Sequence, residues 1–313
     1  MLGAIRHRLA DTARRVLTRL ILSDEKLSEA TFDAKITFLL NEVSEMRSLV
    51  RASTANSRLP PAIAQTNASF SYQWDQLVQG SHLIGDAAFE RDMFDRVKQY
   101  TGGLGPEWFR GKTVLDAGCG NGRWSYAFAK MGARVTAIDQ SESAIAAVRR
   151  TLSDSGLDVD ARPADILRTD LSGNRFDFVW CFGVVHHTGD THRAIRNVAS
   201  AVQPGGRLYL MVYGEPVETG DFVGVNTYVQ LRRETAFMSF DEKVLYLKSR
   251  FPAEQVHGWF DAISPTINDL HRFEELKAWL LDLGFSNICR TVATQHNHII
   301  AERNLDAGSV APR

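Results

Sequence analysis

The sequence predicts an α/β protein built on a doubly wound, seven-stranded sheet that is parallel apart from a terminal antiparallel strand. Three observations predict it. Short apolar runs of strand length alternate with helix-period segments between residues 113 and 213. The first of those runs, TVLDAG (113–118), passes directly into a cluster of glycines. Near the end, a helix-like FEELKAWLLDLGF (273–285) precedes NICRTVATQ (287–295) and NHIIAER (297–303), which read as a terminal hairpin. A chain of 313 residues accommodates one large domain with appendages. Its 44% hydrophobic and 23% charged residues exclude wholesale disorder and low-complexity classes.

Taken in order, residues 1–22 form a basic amphipathic helix, with Leu2, Ile5, Leu9, Val16, Leu17 and Leu20 at helical spacing and Arg6, Arg8, Arg14, Arg15 and Arg19 against Asp11. Packing on a partner and contact with a membrane surface both remain open for it. Phe32, Ile36, Leu39, Val43, Met46 and Val50 continue as a coiled-coil seam. The arm 1–50 is therefore expected to make a homo-oligomer. Residues 51–69, with Pro60-Pro61 and no periodicity, read as a linker. The main domain is expected over 70–303, followed by a flexible tail, 304–313.

Within that domain the periods predict a helix over 86–101, the strand 113–118, a helix over 123–131, a strand RVTAID (134–139) and a helix over 142–153. A short strand near 157–162, the strand FDFVWCF (176–182), a helix over 190–202 and the strand RLYLMVY (207–213) follow. This alternation is Rossmann-like. Residues 214–270 interrupt it with helix-like runs, one opened by the capping box Ser239 and Glu242, and are expected to form a helical lid.

Thirty-six basic against 37 acidic residues supply no general field for nucleic acid, and no nucleic-acid partner is expected. The cysteines Cys119, Cys181 and Cys289 fit neither a disulfide framework nor paired zinc ligands, so a reducing, cytoplasmic setting and no metal are expected. No run approaches the ~20 apolar residues of a membrane span, and the N-terminus lacks the apolar core of a secretion signal.

The chemistry concentrates after the first strand. Gly118, Gly120 and Gly122 stand at its carboxyl end, where doubly wound sheets bind ligands. The dinucleotide fingerprint G-x-G-x-x-G fails at its third place, which is Arg123. The second strand ends in Asp139, positioned to accept both ribose hydroxyls of a nucleoside. Together these favour a nucleoside cofactor held without a pyrophosphate turn.

The ordered run VLDAGCGNGRW, VTAID, PADI (163–166), FDFVWCFGVVHHTGD (176–190) and QPGGRLYL (203–210) resembles the class I S-adenosylmethionine-dependent methyltransferases that act on small molecules. The resemblance implies S-adenosylmethionine as cofactor. It places Asp116, Gly118, Cys119, Gly120 and Gly122 around the methionine part, Asp139 at the ribose, Asp165 at the adenine amino group with Ile166 against the ring, and Phe182 in the wall. Tyr72, Gln73 and Trp74 in FSYQWDQL (70–77) are candidates to cover the cofactor, Trp74 above all.

Methyl transfer from a sulfonium needs positioning more than acid–base help, with a base only where the acceptor loses a proton. His186 and His187, after the fourth strand, are candidates for that base, and His187 is favoured. In the insert, Asp261, Ser264-Pro265 and His271 resemble, more loosely, an acceptor-side stretch of the same group. Cys181-Phe182-Gly183-Val184 stands where amino-methylating nucleic-acid enzymes keep Asn/Asp-Pro-Pro-aromatic. The expected acceptor is a small molecule, a sugar or another biosynthetic intermediate, methylated on oxygen or nitrogen. Methylation of protein or tRNA, and a non-catalytic scaffold, are the rival readings.

Overall fold

The computed structural model describes residues 61–77, 84–173, 175–215 and 222–305. The arm 1–50 with its oligomerising seam and membrane-surface reading, and residues 306–313 of the tail, lie outside the described residues. The linker expected over 51–69 is corrected where it is described, because helix α1 spans Pro61–Gln76. Proline suits the first position of a helix, where the amide it lacks would have had no partner. The buried positions of α1 include Thr66, Ser69 and Gln73, a polar stripe that carries no apolar period.

The sheet has the order β3-β2-β1-β4-β5-β7-β6. Its strands are β1 Thr113–Ala117, β2 Arg134–Asp139, β3 Val159–Pro163, β4 Phe176–Phe182, β5 Val202–Val212, β6 Phe285–Arg290 and β7 Asn297–Arg303. The first five run parallel, with Val114 of β1 paired to Val135 of β2 on one side and to Phe178 of β4 on the other. Strand β7 is antiparallel to both β5 and β6. The hairpin's first strand begins two residues earlier than expected and ends at Arg290. Helix α10, Phe273–Asp282, stops before Gly284, which turns the chain with φ 80° and frees Phe285 for the sheet.

Helices cover both faces, which is why the strands read as continuous apolar runs rather than alternating ones. On β4, Phe176, Val179 and Cys181 join a core that includes Ala194, Ile195, Val198 and Ala199 of α6, Thr191–Ser200, and Leu276 and Leu280 of α10. Phe178, Trp180 and Phe182 point the other way, toward Met93 and Val97 of α2 (Ala87–Tyr100), Phe109 of α3 (Pro106–Phe109), and Trp124 and Phe128 of α4 (Arg123–Lys130). Each buried side chain of this size contributes about 1.5–3 kcal/mol. Helix α5, Glu142–Asp154, packs Ile145, Val148 and Leu152 beside β2 and β3.

Within 214–270 lie α7 Phe222–Thr235, α8 Phe240–Lys248 and α9 Ala253–Ile263. Their own core joins Leu231, Val244, Leu247, Val256, Phe260 and Ile263. Ser239 and Glu242 form the expected reciprocal cap of α8. Helix α1 is tied to the end of this segment. Gln65 Nε2 donates to the Ser264 carbonyl at 2.8 Å, its Oε1 accepts from the Thr266 amide at 2.7 Å, and the Ile267 amide donates to Thr66 Oγ1 at 3.0 Å. Among the described residues, no helix is long and apolar enough to cross a membrane.

Candidate functional site

A cavity of about 470 Å³ opens at the carboxyl ends of β1, β2, β4 and β5, where the strand order reverses. Its floor is the glycine turn. The amides of Gly118 and Cys119 donate to the Ile138 carbonyl at 2.7 and 2.9 Å, fastening the turn to β2. Gly118 and Gly120 have φ of 81° and 52°, a region that side chains with a Cβ avoid. Close packing adds to that constraint: a Cβ on Gly118 would overlap Val184, and one on Gly120 would lie 2.5 Å from Trp74 Cζ2.

Asp139 lines the cavity beside the turn. Its Oδ2 accepts from the Gly120 amide and its Oδ1 from the Ser141 amide, each at 2.9 Å. Burial raises its pKa, and the amides of Ser141, Gly120 and Gln140 oppose that rise. A carboxylate has about four acceptor sites, so each oxygen keeps capacity for a hydroxyl donor. Asp165, Ile166 and Leu167 form the adjoining wall, with Asp165 Oδ1 accepting from the Leu167 amide at 2.8 Å.

Of the residues singled out in the sequence, Trp74, Gly118, Cys119, Asp139, Asp165, Ile166, Phe182 and His187 line the cavity. Asp116, Gly120, Gly122, His186 and His271 do not. Asp116 is buried beneath the turn and accepts from Ser125 Oγ at 2.6 Å. Burial drives its pKa up to about 7 against the pull of that hydrogen bond. Gly120 is covered by the Trp74 ring, and Gly122 packs on Val148.

The two adjacent histidines separate because Val185–His187 is a single 3-10 turn, which points consecutive side chains in different directions. His186 is fully buried, 4.2 Å ring to ring from both His187 and Tyr213, with both nitrogens unpartnered. Burial pushes its pKa well below the ordinary value. His187 meets the Ile267 carbonyl through Nδ1 at 2.8 Å. A carbonyl accepts only, so Nδ1 carries the proton and Nε2 the lone pair. That Nε2 has no partner. Burial lowers the pKa of His187, with Asp261 and the Ile267 bond acting the other way. The edge of Phe70 stands 5.0 Å from its ring.

His271 performs a different task. Its Nδ1 lies 3.0 Å from Glu275 Oε2, its amide donates to the Tyr213 carbonyl at 3.0 Å, and its carbonyl accepts from Asn297 Nδ2 at 2.8 Å. These bonds hold the chain before α10 against the carboxyl end of β5 and the start of β7. Asp261 does reach the cavity, where its Oδ2 accepts from the Tyr213 hydroxyl at 2.9 Å. Burial and that carboxylate keep the Tyr213 phenol protonated, raising its pKa well above the usual value.

Sequence reasoning passed over Arg123, Tyr213, Tyr228, His257 and His296, which also line the cavity. It also missed the face of α1 made by Ile63, Asn67, Phe70 and Trp74. Their spacing of four, three and four residues is the one available signal, with Asn67 breaking its apolar character.

Residues 114–206 match the family model of a methyltransferase domain. Over that stretch the chain is similar to methyltransferase domains. The matched stretch covers β1 through the start of β5, and so includes the glycine turn, Asp139, Asp165 and both adjacent histidines. The ubiquinone biosynthesis O-methyltransferase of Methylobacterium sp. (strain 4-46) is 39% identical over 106 residues, which are 34% of this chain and 43% of that protein. The protein of the same name from Coxiella burnetii (strain Dugway 5J108-111) is 39% identical over 100 residues, 32% and 43% of the two chains. The match thus spans less than half the length of these relatives. Among solved structures, an O-methyltransferase family protein from Burkholderia thailandensis aligns with 78% of this chain and 72% of its own at 16% identity and a TM-score of 0.47.

The family's cofactor is S-adenosylmethionine, and the residues present fit it. Asp139 and Asp165 offer acceptors for hydroxyl and amino donors, Ile166 offers an apolar surface to a ring, and Gly118 brings backbone without a side chain to the cavity.

Proposed function

We propose that the protein methylates a hydroxyl or amine of a small molecule, a sugar or another biosynthetic intermediate, bound in this cavity. S-adenosylmethionine, when bound, supplies a methyl group activated by its sulfonium. Asp139 holds the ribose hydroxyls, Asp165 and Ile166 the adenine, and Gly118 and Cys119 the methionine end. Phe182 and Trp74 exclude water from the reacting groups, which strengthens every electrostatic interaction there.

The observation that carries the reading is His187: a neutral imidazole whose tautomer is set by the Ile267 carbonyl and whose Nε2 lone pair is unpartnered, on the wall of the cavity that the glycine turn floors. Nε2 takes the proton that an acceptor hydroxyl must lose as its oxygen is methylated. Tyr213, whose ring lies 5.5 Å from that of His187, and the Asp261 it bonds orient the acceptor. The printed name of the two relatives, an O-methyltransferase of ubiquinone biosynthesis, supports oxygen as the methylated atom.

Calorimetry with S-adenosylhomocysteine tests the cofactor side. Binding is expected in the wild type, with Asp139→Ala losing about 1–3 kcal/mol. Binding of NAD with no response to S-adenosylhomocysteine would refute the proposal.

A further inference from the structure

Arg123 is the first residue of α4 and follows the glycine turn directly. Its guanidinium lies over the rings of Trp124 at 5.0 Å and Phe182 at 5.8 Å, on the cavity wall. Among the described residues no carboxylate stands within ion-pair distance of it. Asp261 and Asp116 act on it only through their fields, while Arg96 repels it. The Asp261 oxygen that is engaged already accepts from Tyr213. Burial lowers the Arg123 pKa to about 10, which leaves the group charged at neutral pH.

A partly buried guanidinium is costly without a counter-ion, and its five donors fit a planar or tetrahedral oxyanion. The cavity itself leaves that position open to a ligand. The sign of charge also bears on which ligand. S-adenosylmethionine carries a sulfonium and an ammonium against one carboxylate, so it adds net positive charge to a cavity that already holds Arg123. The fields at Arg123 come from Tyr100 and Arg96 on α2, Asp261 on α9 and Asp116 beneath the glycine turn, and Arg123 in turn lowers the pKa of His257, which lines the cavity from the same helix as Asp261. Asp139, at the ribose position, is not among them.

We infer that Arg123 binds an oxyanion, a carboxylate or a phosphate, carried by the methyl acceptor. The inference rests on the proposed methyl transfer in this cavity and narrows its substrate class to anionic molecules. The acceptor's anionic group pairs with the guanidinium, and its nucleophilic oxygen is thereby fixed relative to His187.

The test uses the full chain saturated with S-adenosylhomocysteine and titrated calorimetrically with benzoate and, separately, with inorganic phosphate. The wild type should bind at least one of them, Arg123→Gln should bind it about tenfold more weakly or worse, and Arg123→Lys should fall between, because lysine keeps the charge but loses the fork. S-adenosylhomocysteine affinity should stay within about twofold of wild type in both variants, which also shows that they are folded. If neither anion distinguishes the wild type from Arg123→Gln, the inference is overturned. It is equally overturned if Arg123→Gln weakens S-adenosylhomocysteine about tenfold at an unchanged melting temperature, since the guanidinium would then serve the cofactor's own carboxylate. Failure of the wild type to bind S-adenosylhomocysteine would count against the methyl-transfer reading instead, and the anion titrations repeated without it would still judge Arg123.

Discussion

Replacing Gly120 by alanine asks whether Trp74 holds helix α1 on the glycine turn. Two costs add in the wild-type background. The residue would keep φ near 52° with a Cβ, which costs about 1–2 kcal/mol. The new methyl would also sit 2.5, 2.7 and 2.9 Å from Trp74 Cζ2, Cη2 and Cε2, and displacing a packed ring costs roughly 1–3 kcal/mol more. The sum is about 2–5 kcal/mol. In a Trp74→Ala background the second cost vanishes, so Gly120→Ala should cost only about 1–2 kcal/mol. The four proteins of this double-mutant cycle would be compared by guanidinium unfolding, with a coupling of roughly 1–3 kcal/mol expected. An equal cost in both backgrounds would show that Trp74 does not rest on Gly120, and the account of α1 as the cover of the cavity would fall with it.

Three further outcomes are expected. His187→Ala should lower turnover by roughly 10²–10⁴ with S-adenosylhomocysteine affinity nearly unchanged; wild-type turnover in that variant would make the residue structural. Because burial lowers the His187 pKa from 6.5, its basic form persists to lower pH than an ordinary histidine's, so the acid limb of kcat/KM should have its midpoint below 6.5; a midpoint above it argues against this base. His186 is neutral in the fold with its pKa well below 6.5, so the unfolded chain takes up that proton first as pH falls. Stability is then fully present above pH 6.5 and declines below it, by up to about 1.4 kcal/mol per pH unit for this residue, and His186→Phe should flatten the urea midpoint against pH over that range, an effect whose absence would refute the assignment.

The parallel strands were legible because burial on both faces writes them as apolar runs, and the turn was legible because three glycines and Asp139 fall at fixed places around it. Helix α1 was not, since its buried positions are Thr66, Ser69 and Gln73, and a polar interior face looks like a linker to any test of apolar period. The choice between His186 and His187 was open in the sequence, where neighbours share every local signal. Only the 3-10 turn, with the Ile267 carbonyl brought from eighty residues away, separates them. Arg123 was hidden for a related reason: a cation at the first position of a helix ordinarily reads as solvated, and the Phe182 ring it lies over comes from a strand far along the chain.

Gly214 and His271 form a parallel bridge, with the Glu215 amide donating to the His271 carbonyl at 3.3 Å. The helical excursion between them therefore leaves and rejoins the sheet at one place. Such a segment behaves as a graft: its sequence can diverge, lengthen or be exchanged while the strands that carry the glycine turn and Asp139 keep their register. The two halves of the cavity are consequently free to evolve at different rates. A chimera carrying a foreign excursion between these two anchors is the natural route to a new acceptor on the same nucleoside site.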